Sequence, residues 1–331
     1  MVPPQIKKRP KGAIFYLWHG QADENPWVRH DSWPEQARLR AVRALRVERV
    51  PVAAHLCDGW ECAIPVVPPL FASLSMRGFL FAIWFVVFYY LGVMKYIDAH
   101  CHILTDTQMR DATAHSVAGF VVNATCPAYW DTIVELTQRG NVFGAIGAHP
   151  WFVSDLSDGW DYELINALAA HSDLMVGEIG LDKNRPDPEL QETVFCRGLQ
   201  IARDMRRVAH IHCVGAWGKM MDILRGVDLP PAMVFHAYSG SVELVRELTD
   251  MGAYFSFGAE ICNEKHTRAR NAVAAVPISR ILVESDAPDV AMPNTIPAIV
   301  AEIAKIRGVD TEQLTEIIYK NTLGVINDGK I

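Results

Sequence analysis

Residues 174–213 read LMVGEIGLDKNRPDPELQETVFCRGLQIARDMRRVAHIHC and contain one unit of strand, helix and strand. The apolar runs Leu174–Leu181 and Val208–Cys213 are short and include β-branched residues, which is typical of buried strands. Between them, Pro188–Arg206 places apolar side chains at roughly helical spacing. This order predicts a helix that connects two parallel strands of one sheet.

The same alternation runs through the chain from Lys95 onward. Eight short apolar runs are separated by helical patterns, and they are Tyr96–His100, Ala118–Ala124, Phe143–His149, Leu174–Leu181, Val208–Cys213, Met233–Tyr238, Ala253–Phe257 and Arg280–Asp286. Eight such units predict an α/β fold of the (β/α)8 TIM-barrel type. The usual size of that fold, about 250 residues, matches the 238 residues from Met94 to Ile331. Active sites of this fold lie at the carboxyl ends of the strands.

Residues 1–93 differ from the rest of the chain, because they contain scattered prolines and show no alternation of strands and helices. We interpret them as a poorly structured or helical N-terminal extension. The apolar segment 78–94 would span roughly 25 Å as a helix, less than the roughly 30 Å of a bilayer core. Three interpretations stay open. Met94 is the natural first residue and the extension is not part of the natural product, or the segment is a membrane anchor, or the extension is a packed accessory segment.

The formal charge of −7 is unevenly distributed along the chain. Residues 94–331 hold 20 Lys and Arg against 31 Asp and Glu, which gives this part a charge of −11. Neutralising a long nucleic-acid backbone needs clustered cations, so this composition excludes a protein that coats long nucleic acid. A short or terminal polynucleotide held by metal ions is compatible with it. Seven cysteines, an odd number without regular spacing, indicate a reducing compartment, and we expect the cytoplasm.

Histidines and carboxylates stand where the predicted strands end. Side chains two apart on a strand point the same way, so the first run and its end, Asp98-Ala-His-Cys-His102, place His100 and His102 on one face. Four further candidates lie late in the fourth, fifth, sixth and eighth runs, and these are Glu178, His212, His236 and Asp286. Imidazoles and carboxylates are ligands of zinc, manganese and similar ions. The set therefore predicts a hydrolytic metal centre at the barrel mouth.

Six such donors are enough for two divalent ions. Glu178 offers two oxygens and is expected to bridge the ions. Asp286 is expected to bind one ion and to accept a proton from the attacking water. These two residues are therefore the predicted catalytic residues, with a metal-activated water as the nucleophile. Mixed imidazole and carboxylate ligands leave the choice among Mg, Mn and Zn open.

Further polar residues near the predicted mouth have more than one interpretation. His210 shares a strand face with His212, and the position nearer the strand end favours His212 as the ligand. His149 ends the third run and either contacts substrate or ordered water, or has a purely structural role. Ser239 offers a hydroxyl to an anionic oxygen, although serine is also common in turns. Asp182 is expected to orient a ligand by hydrogen bonds.

From Met94 to about Asp328 these motifs, in this order, resemble the TatD-like metal-dependent deoxyribonucleases of the amidohydrolase superfamily. The resemblance is carried by Asp98–His102, Gly147-Ala-His-Pro150, Gly177-Glu-Ile-Gly-Leu-Asp182, His212, His236 before Tyr-Ser-Gly, and Glu284-Ser-Asp-Ala-Pro288. It implies the TIM-type barrel, two divalent ions and phosphodiester hydrolysis, often the removal of nucleotides from a DNA end. The chain departs from the family pattern at Val214, where an arginine is often found, at Trp151, where histidine is frequent, and at Ile103-Leu104.

We therefore expect a divalent-metal-dependent hydrolase of phosphoester bonds, of the exonuclease type, that acts as a monomer on DNA or another phosphoester. Two alternatives stay open. The nearest rival is a carbon–nitrogen or carboxylic ester hydrolase on the same barrel, because a metal-activated water also attacks carbonyl carbon. The second is a non-catalytic binding module tethered to a membrane through residues 78–94, a membrane contact that the sequence does not favour.

Overall fold

The computed structural model describes residues 96–102 and 105–328. The predicted extension 1–93, the whole apolar segment 78–94 and Ile103-Leu104 lie outside the described residues. Across the described ranges, no helix combines the length and the apolar character needed to cross a membrane.

Eight parallel strands form one sheet in chain order. They are β1 (Tyr96–Cys101), β2 (Val117–Asn123), β3 (Val142–Ile146), β4 (Met175–Asp182), β5 (Ala209–Val214), β6 (Met233–Phe235), β7 (Ala253–Phe257) and β8 (Ile281–Val283). Backbone hydrogen bonds join β1 to the residues after β8. The Asp286 N–H donates to the His100 carbonyl at 3.0 Å, and the His102 N–H donates to the Ala287 carbonyl at 2.7 Å. The sheet is thus a nearly closed barrel, which confirms the predicted (β/α)8 fold.

Helices alternate with the strands and cover the outside of the barrel. Within the described residues they are α1 (Asp106–Ala114), α2 (Trp130–Thr137), α3 (Trp160–Ala170), α4 (Pro188–Asp204), α5 (Trp217–Gly226), α6 (Val242–Asp250), α7 (Thr267–Ala275), α8 (Ile296–Arg307) and α9 (Thr311–Asp328). The predicted helix Pro188–Arg206 is α4, with proline in its first turn. It ends before Arg206, whose φ of 54° lies in the left-handed region that a helix does not continue through.

Two apolar clusters stabilise this arrangement. The larger lies between the strands and the surrounding helices and includes Phe120, Ile179 and Phe255, all fully buried. The smaller, which we name the amino-end cluster, consists of Ile97, Ala99, Val121, Ala145, Met175, Val208, Ala232, Val234, Leu282, Tyr319, Val325 and Ile326. Because its last three members belong to α9, this helix packs on strand residues near the amino end of the barrel.

Three predicted runs extend past the observed strands. The third, sixth and eighth strands end at Ile146, Phe235 and Val283, several residues before the predicted limits. Ala237 and Asp286 have φ values of 41° and 53°, in the left-handed region, so the extended backbone does not continue through them. The candidate site residues of these runs therefore lie on the loops that leave the strands, where a barrel builds its active site.

Candidate metal centre

All six predicted ligands come together at the carboxyl ends of the strands. Three overlapping groups have donor atoms within 4.8 Å of one another, namely His100, Glu178 and His236; His100, His102 and Asp286; and His149, Glu178 and His212. The third group includes His149, which the sequence placed among substrate or supporting residues. The convergence that a metal centre requires is present, while the number of ions and the ligand role of each residue stay predictions.

Glu178 lies at the centre of this cluster, midway along β4. Its Oε1 atom is 2.8 Å from His236 Nε2, 2.9 Å from His212 Nδ1 and 3.4 Å from His149 Nε2. Its Oε2 atom is 3.4 Å from His100 Nε2. Burial opposes ionisation, but the neighbouring His236, His149 and His100 hold the pKa of Glu178 well below its ordinary value. Glu178 is therefore a carboxylate at neutral pH, with both oxygens facing imidazoles.

His102 and Asp286 form the more exposed side of the cluster. His102 Nε2 is 3.2 Å from Asp286 Oδ1, and its Nδ1 is 3.2 Å from the Asn123 carbonyl oxygen. A carbonyl accepts a hydrogen bond from a protonated Nδ1, which leaves Nε2 facing the cluster. Burial disfavours the His102 imidazolium, but the hydrogen bond to Asp286 and the charge of Glu178 outweigh burial and raise the pKa of His102 to about 9. The pKa of Asp286 is lowered despite burial, chiefly by the same hydrogen bond.

Several buried nitrogen and oxygen atoms of the cluster have no hydrogen-bond partner. They are both ring nitrogens of His100, Glu178 Oε2, His212 Nε2 and His236 Nδ1. A buried polar atom without a partner costs roughly 1–3 kcal/mol, so native proteins rarely leave several of them side by side. Bound cations supply partners for such atoms. The imidazole and carboxylate chemistry of the donors and their unpartnered state both fit divalent metal ions.

His210 lies two residues before His212 on β5 and faces the same way. Both of its ring nitrogens are buried without a partner, and burial lowers its pKa to about 3. Its ring centroid is 6.1 Å from that of His100. The groups of converging donors include His212 and do not include His210. His210 therefore lies deeper in the barrel, below the cluster.

His149 follows β3 and is almost fully buried. Its Nδ1 accepts a hydrogen bond from the Trp151 backbone N–H at 3.2 Å, so in the neutral ring the proton resides on Nε2. Burial lowers the pKa of His149 to about 4, and the ring is neutral at pH 7. Since Nε2 then carries a proton, it faces Glu178 Oε1 as a hydrogen-bond donor, which differs from the role of a metal ligand.

Asp182 ends β4 and supports the cluster from the side. Its carboxylate accepts hydrogen bonds from Trp151 Nε1 at 2.7 Å and from the Asn184 backbone N–H at 2.8 Å. Oδ2 is also 3.6 Å from His212 Nε2. Burial opposes ionisation, but the contacts with His212, Asn184 and Trp151 prevail and lower the pKa of Asp182 to about 2. The structure thus places this carboxylate where it orients the His212 ring.

Ser239 is exposed and lines a cavity of about 340 Å³ beside the cluster. Asp286 and Arg268 line the same cavity, so the serine hydroxyl lies near a predicted ligand without being part of the donor groups. This placement is compatible with contact to a substrate oxygen.

Glu284 is a site residue to which the sequence argument assigned no role. It is fully buried and accepts hydrogen bonds from the Ala237 backbone N–H at 2.8 Å and from the Ser256 hydroxyl. These bonds hold the loop that carries His236. Its position two residues before Asp286 in the motif Glu284-Ser-Asp-Ala-Pro288 was the available signal.

Ser285 is a second such residue. Its backbone N–H and hydroxyl donate to the Asp98 carboxylate at 2.9 and 2.5 Å and so join β1 to the segment after β8. Burial raises the pKa of Asp98 to about 7. No local pattern in the sequence indicates this pairing, because Asp98 and Ser285 are 187 positions apart in the chain.

The chain matches known proteins over most of its barrel. The sequence profile of the TatD related DNase family matches residues 97–327. An uncharacterized metal-dependent hydrolase of Methanocaldococcus jannaschii is 28% identical over 247 residues, 69% of this chain and 96% of the relative. The 3′-5′ ssDNA/RNA exonuclease TatD of Citrobacter koseri is 27% identical over 242 residues, 66% of this chain and 93% of that protein. The crystal structure of the TatD homolog YjjV of Escherichia coli K12 has the same fold, with a TM-score of 0.68 and 24% identity, and the match covers 71% of this chain and 99% of that one. The chain belongs to the TatD related DNase family of metal-dependent hydrolases.

Proposed function

We propose that this chain is a divalent-metal-dependent exonuclease that hydrolyses phosphodiester bonds at an end of a nucleic-acid strand. The observation that carries the proposal is the convergence of six donors, several without a partner, around the buried carboxylate of Glu178. A relative over most of the barrel is named a 3′-5′ ssDNA/RNA exonuclease, which directs the proposal to nucleic acid. The net negative charge of the barrel suits a strand end better than a long duplex.

The six donors are enough for two ions. Glu178 and His100 lie between two pairs of predicted ligands, His102 with Asp286 and His212 with His236. When bound, such ions polarise phosphoryl oxygens and lower the pKa of the attacking water. Mg, Mn and Zn are all compatible with these ligands, and their supply decides among them.

The side chains then have distinct roles at the reacting phosphate. Asp286 is ionised at neutral pH and lies at the cavity beside the cluster, where it accepts a proton from the attacking water. His149 holds a proton on Nε2 and donates a hydrogen bond to a phosphate oxygen. Ser239 donates its hydroxyl to an anionic oxygen at the cavity. Asp182 keeps the His212 ring in place.

We also infer that the barrel, residues 94–331, is the catalytic unit, that residues 1–93 are an extension separate from it, and that the protein is a cytoplasmic monomer. The cysteines in the described ranges all have free thiols, and they are Cys101, Cys126, Cys196, Cys213 and Cys262. Free thiols support a reducing compartment. Membrane contact through residues 78–94 is not part of the proposal.

The test uses the full-length protein, stripped of metal and reloaded separately with Mg, Mn or Zn. We expect metal-dependent shortening of end-labelled single strands, with 3′ and 5′ labels giving the polarity, and hydrolysis of bis-p-nitrophenyl phosphate. Asp286→Asn should lower kcat by about 10²–10⁴-fold, because it removes the proton acceptor while preserving the shape of the side chain. Circular dichroism checks that this variant is folded.

Two outcomes would contradict the proposal. Hydrolysis of simple amides or lactones without cleavage of either phosphodiester substrate would assign the barrel to the carbon–nitrogen or carboxylic ester hydrolases. A full-length protein that sediments with membranes and hydrolyses nothing in any metal would favour the non-catalytic binding module.

A further inference from the structure

A large aromatic side chain remains half exposed beside the metal centre. Trp151 lies in the short 3-10 helix Pro150–Asp155 that follows His149, and 48% of its surface is exposed. Burial of an indole is strongly favourable, with roughly 25 cal/mol for each Å² of apolar surface removed from water. An indole left exposed at the edge of an active site therefore points to a binding surface.

The indole of Trp151 is held rigidly in this exposed position. Its backbone N–H donates to His149 Nδ1 at 3.2 Å, and its Nε1–H donates to Asp182 Oδ2 at 2.7 Å. The Arg185 guanidinium lies over the ring, 3.6 Å from its centroid. The two contacts to the ring come from Asp182 at the end of β4 and from Arg185 in the loop after it, and they fix the ring in place.

The partner of the Trp151 backbone N–H, His149, and the partner of its indole, Asp182, both contact the metal cluster as well. His149 Nε2 is 3.4 Å from Glu178 Oε1, and Asp182 Oδ2 is 3.6 Å from His212 Nε2. Trp151 is therefore separated from the predicted ligand Glu178 by His149 alone, and from the predicted ligand His212 by Asp182 alone. A base attached to a phosphate at the cluster is within reach of such a ring.

Arg185 brings a positive charge to the same place. It lies in the loop after β4, on a barrel whose net charge is −11. Some arginines of the barrel pair with carboxylates, as Arg139 does with Asp106 and Arg225 with Glu247. Arg185 stacks on Trp151, and among the described residues it forms no ion pair with a carboxylate. Its N–H donors remain available for a phosphate, which a guanidinium binds through two parallel hydrogen bonds.

We propose that Trp151 and Arg185 form a nucleotide subsite for single-stranded nucleic acid. The open part of the indole stacks on an unpaired base, and the guanidinium binds a phosphate of the same strand. The proposal rests on the proposed function, because it names the substrate class of the same metal centre. Stacking needs an unpaired base, so the subsite selects single strands or the frayed ends of a duplex. Because stacking does not contact the edges of the base, the subsite has little sequence preference.

The test combines an equilibrium measurement with a kinetic ratio in the full-length, metal-loaded protein. Binding is measured by the fluorescence anisotropy of a labelled oligothymidylate with phosphorothioate linkages that resist cleavage. The kinetic ratio is kcat/KM for a single-stranded oligonucleotide divided by kcat/KM for bis-p-nitrophenyl phosphate, which has no base.

Trp151→Ala should weaken oligothymidylate binding by about 5–150-fold, the loss equivalent to one base stacked on an aromatic ring. The kinetic ratio should fall by about 10-fold or more, because only the oligonucleotide contains a base. Trp151→Phe keeps an aromatic face and should stay within about 3-fold of the wild type. Arg185→Ala should reduce the magnitude of the slope of log K against log salt concentration by about 0.7, the value for one phosphate contact on a single strand. Arg185→Lys should leave that slope unchanged.

The chain offers two matched controls. Arg280 lies over the Tyr254 ring at 4.4 Å, an equivalent stack that precedes β8 and so lies at the opposite end of the barrel from the cluster. Tyr162 on α3 is an aromatic residue with 69% exposure. Arg280→Ala and Tyr162→Ala should leave both the binding and the kinetic ratio unchanged.

Two results would overturn the subsite. Unchanged oligothymidylate binding in Trp151→Ala is one of them. The other is an equal loss of kcat/KM on both substrates, which would mean that Trp151 acts only by positioning His149 and Asp182. If the wild type hydrolyses neither substrate, the proposed function is wrong, and the anisotropy of the same variants still decides whether the subsite exists.

Discussion

The same strands line both ends of the barrel interior, but hydrophobic side chains fill the amino end, whereas histidines and carboxylates converge at the carboxyl end. The segment that enters β5 shows this over five residues, since Val208 belongs to the amino-end cluster and His212 to the converging donors. The segment from β8 into the loop after it repeats the change, from Leu282 in the amino-end cluster to Asp286 among the donors. Each of the two segments therefore passes from apolar packing to ligand chemistry within five residues.

The difference separates stability from function along the barrel axis. The amino-end cluster consists of nearly fully buried hydrophobic side chains, so packing is its main source of stability. The carboxyl end contains buried nitrogen and oxygen atoms without partners, which destabilise the metal-free protein. We therefore expect substitutions at the amino end to change the free energy of unfolding, and substitutions at the carboxyl end to change metal binding and turnover.

The largest expected effect is at the carboxyl end. Glu178→Gln keeps the size of the side chain and removes the charge that faces His100, His149, His212 and His236. Activity should fall by at least about 10²–10³-fold, since the central carboxylate of the cluster is lost. The measurements are kcat on an end-labelled single strand and metal content by mass spectrometry. Wild-type turnover in a folded Glu178→Gln protein would contradict the assignment of the metal centre.

The second effect is at the amino end. Leu282→Ala removes a side chain that is 1% exposed and leaves a cavity in the amino-end cluster. The free energy of unfolding should fall by about 2–5 kcal/mol, while kcat per folded molecule stays close to that of the wild type. Urea unfolding measures the first quantity and active-site-normalised kinetics the second.

Leu190→Ala is the control for this prediction, because Leu190 lies on α4 and is 39% exposed. Its effect on unfolding should stay within about 0.5 kcal/mol. A loss of kcat in Leu282→Ala as large as that in Glu178→Gln would mean that the two ends are not separable.

The smallest effect is a pH dependence confined to the metal-free protein. The pKa of His102 is raised to about 9, so the folded chain binds this proton more tightly than the unfolded chain, whose histidines titrate near about 6.5. This stabilising contribution is complete below pH about 6.5 and is lost as the pH rises through about 9. Since His102 is partly exposed, water reduces the loss to about 1 kcal/mol.

A metal ion replaces that proton, so the metal-loaded protein should not show the loss between neutral and alkaline pH. The measurement is unfolding in urea at pH 6.5 and at pH 9, once with a chelator and once with saturating metal. Greater stability of the metal-free protein at pH 9 than at pH 6.5 would contradict the sign of the effect.

The strands and the donors were predictable for different reasons. Short apolar runs identify the eight strands, because every strand of the barrel is buried and its neighbours in the chain are amphipathic helices. The donors stand out because buried histidines and acids at strand ends are uncommon without a role. The strand ends were not predictable, since the left-handed backbone at Ala237 and Asp286 has no local signature in these residue types.

Some features of the site depend on contacts between distant segments. The indole of Trp151, which follows β3, is held by Asp182 at the end of β4 and by Arg185 in the loop after it. Glu284 fixes the loop of His236 across the barrel. Each pairing joins residues that no periodicity relates.

By itself, the amino-acid sequence determined the barrel, the family resemblance and the identity of the candidate ligands, because periodic burial and ligand chemistry are properties of residue type and spacing. Only the tertiary structure decided that the six donors share one cluster around Glu178, that His210 lies below it, and that Trp151 and Arg185 stack at its edge. The physical reason is that convergence depends on closure of the sheet between β1 and the segment after β8, a long-range contact that local sequence does not encode.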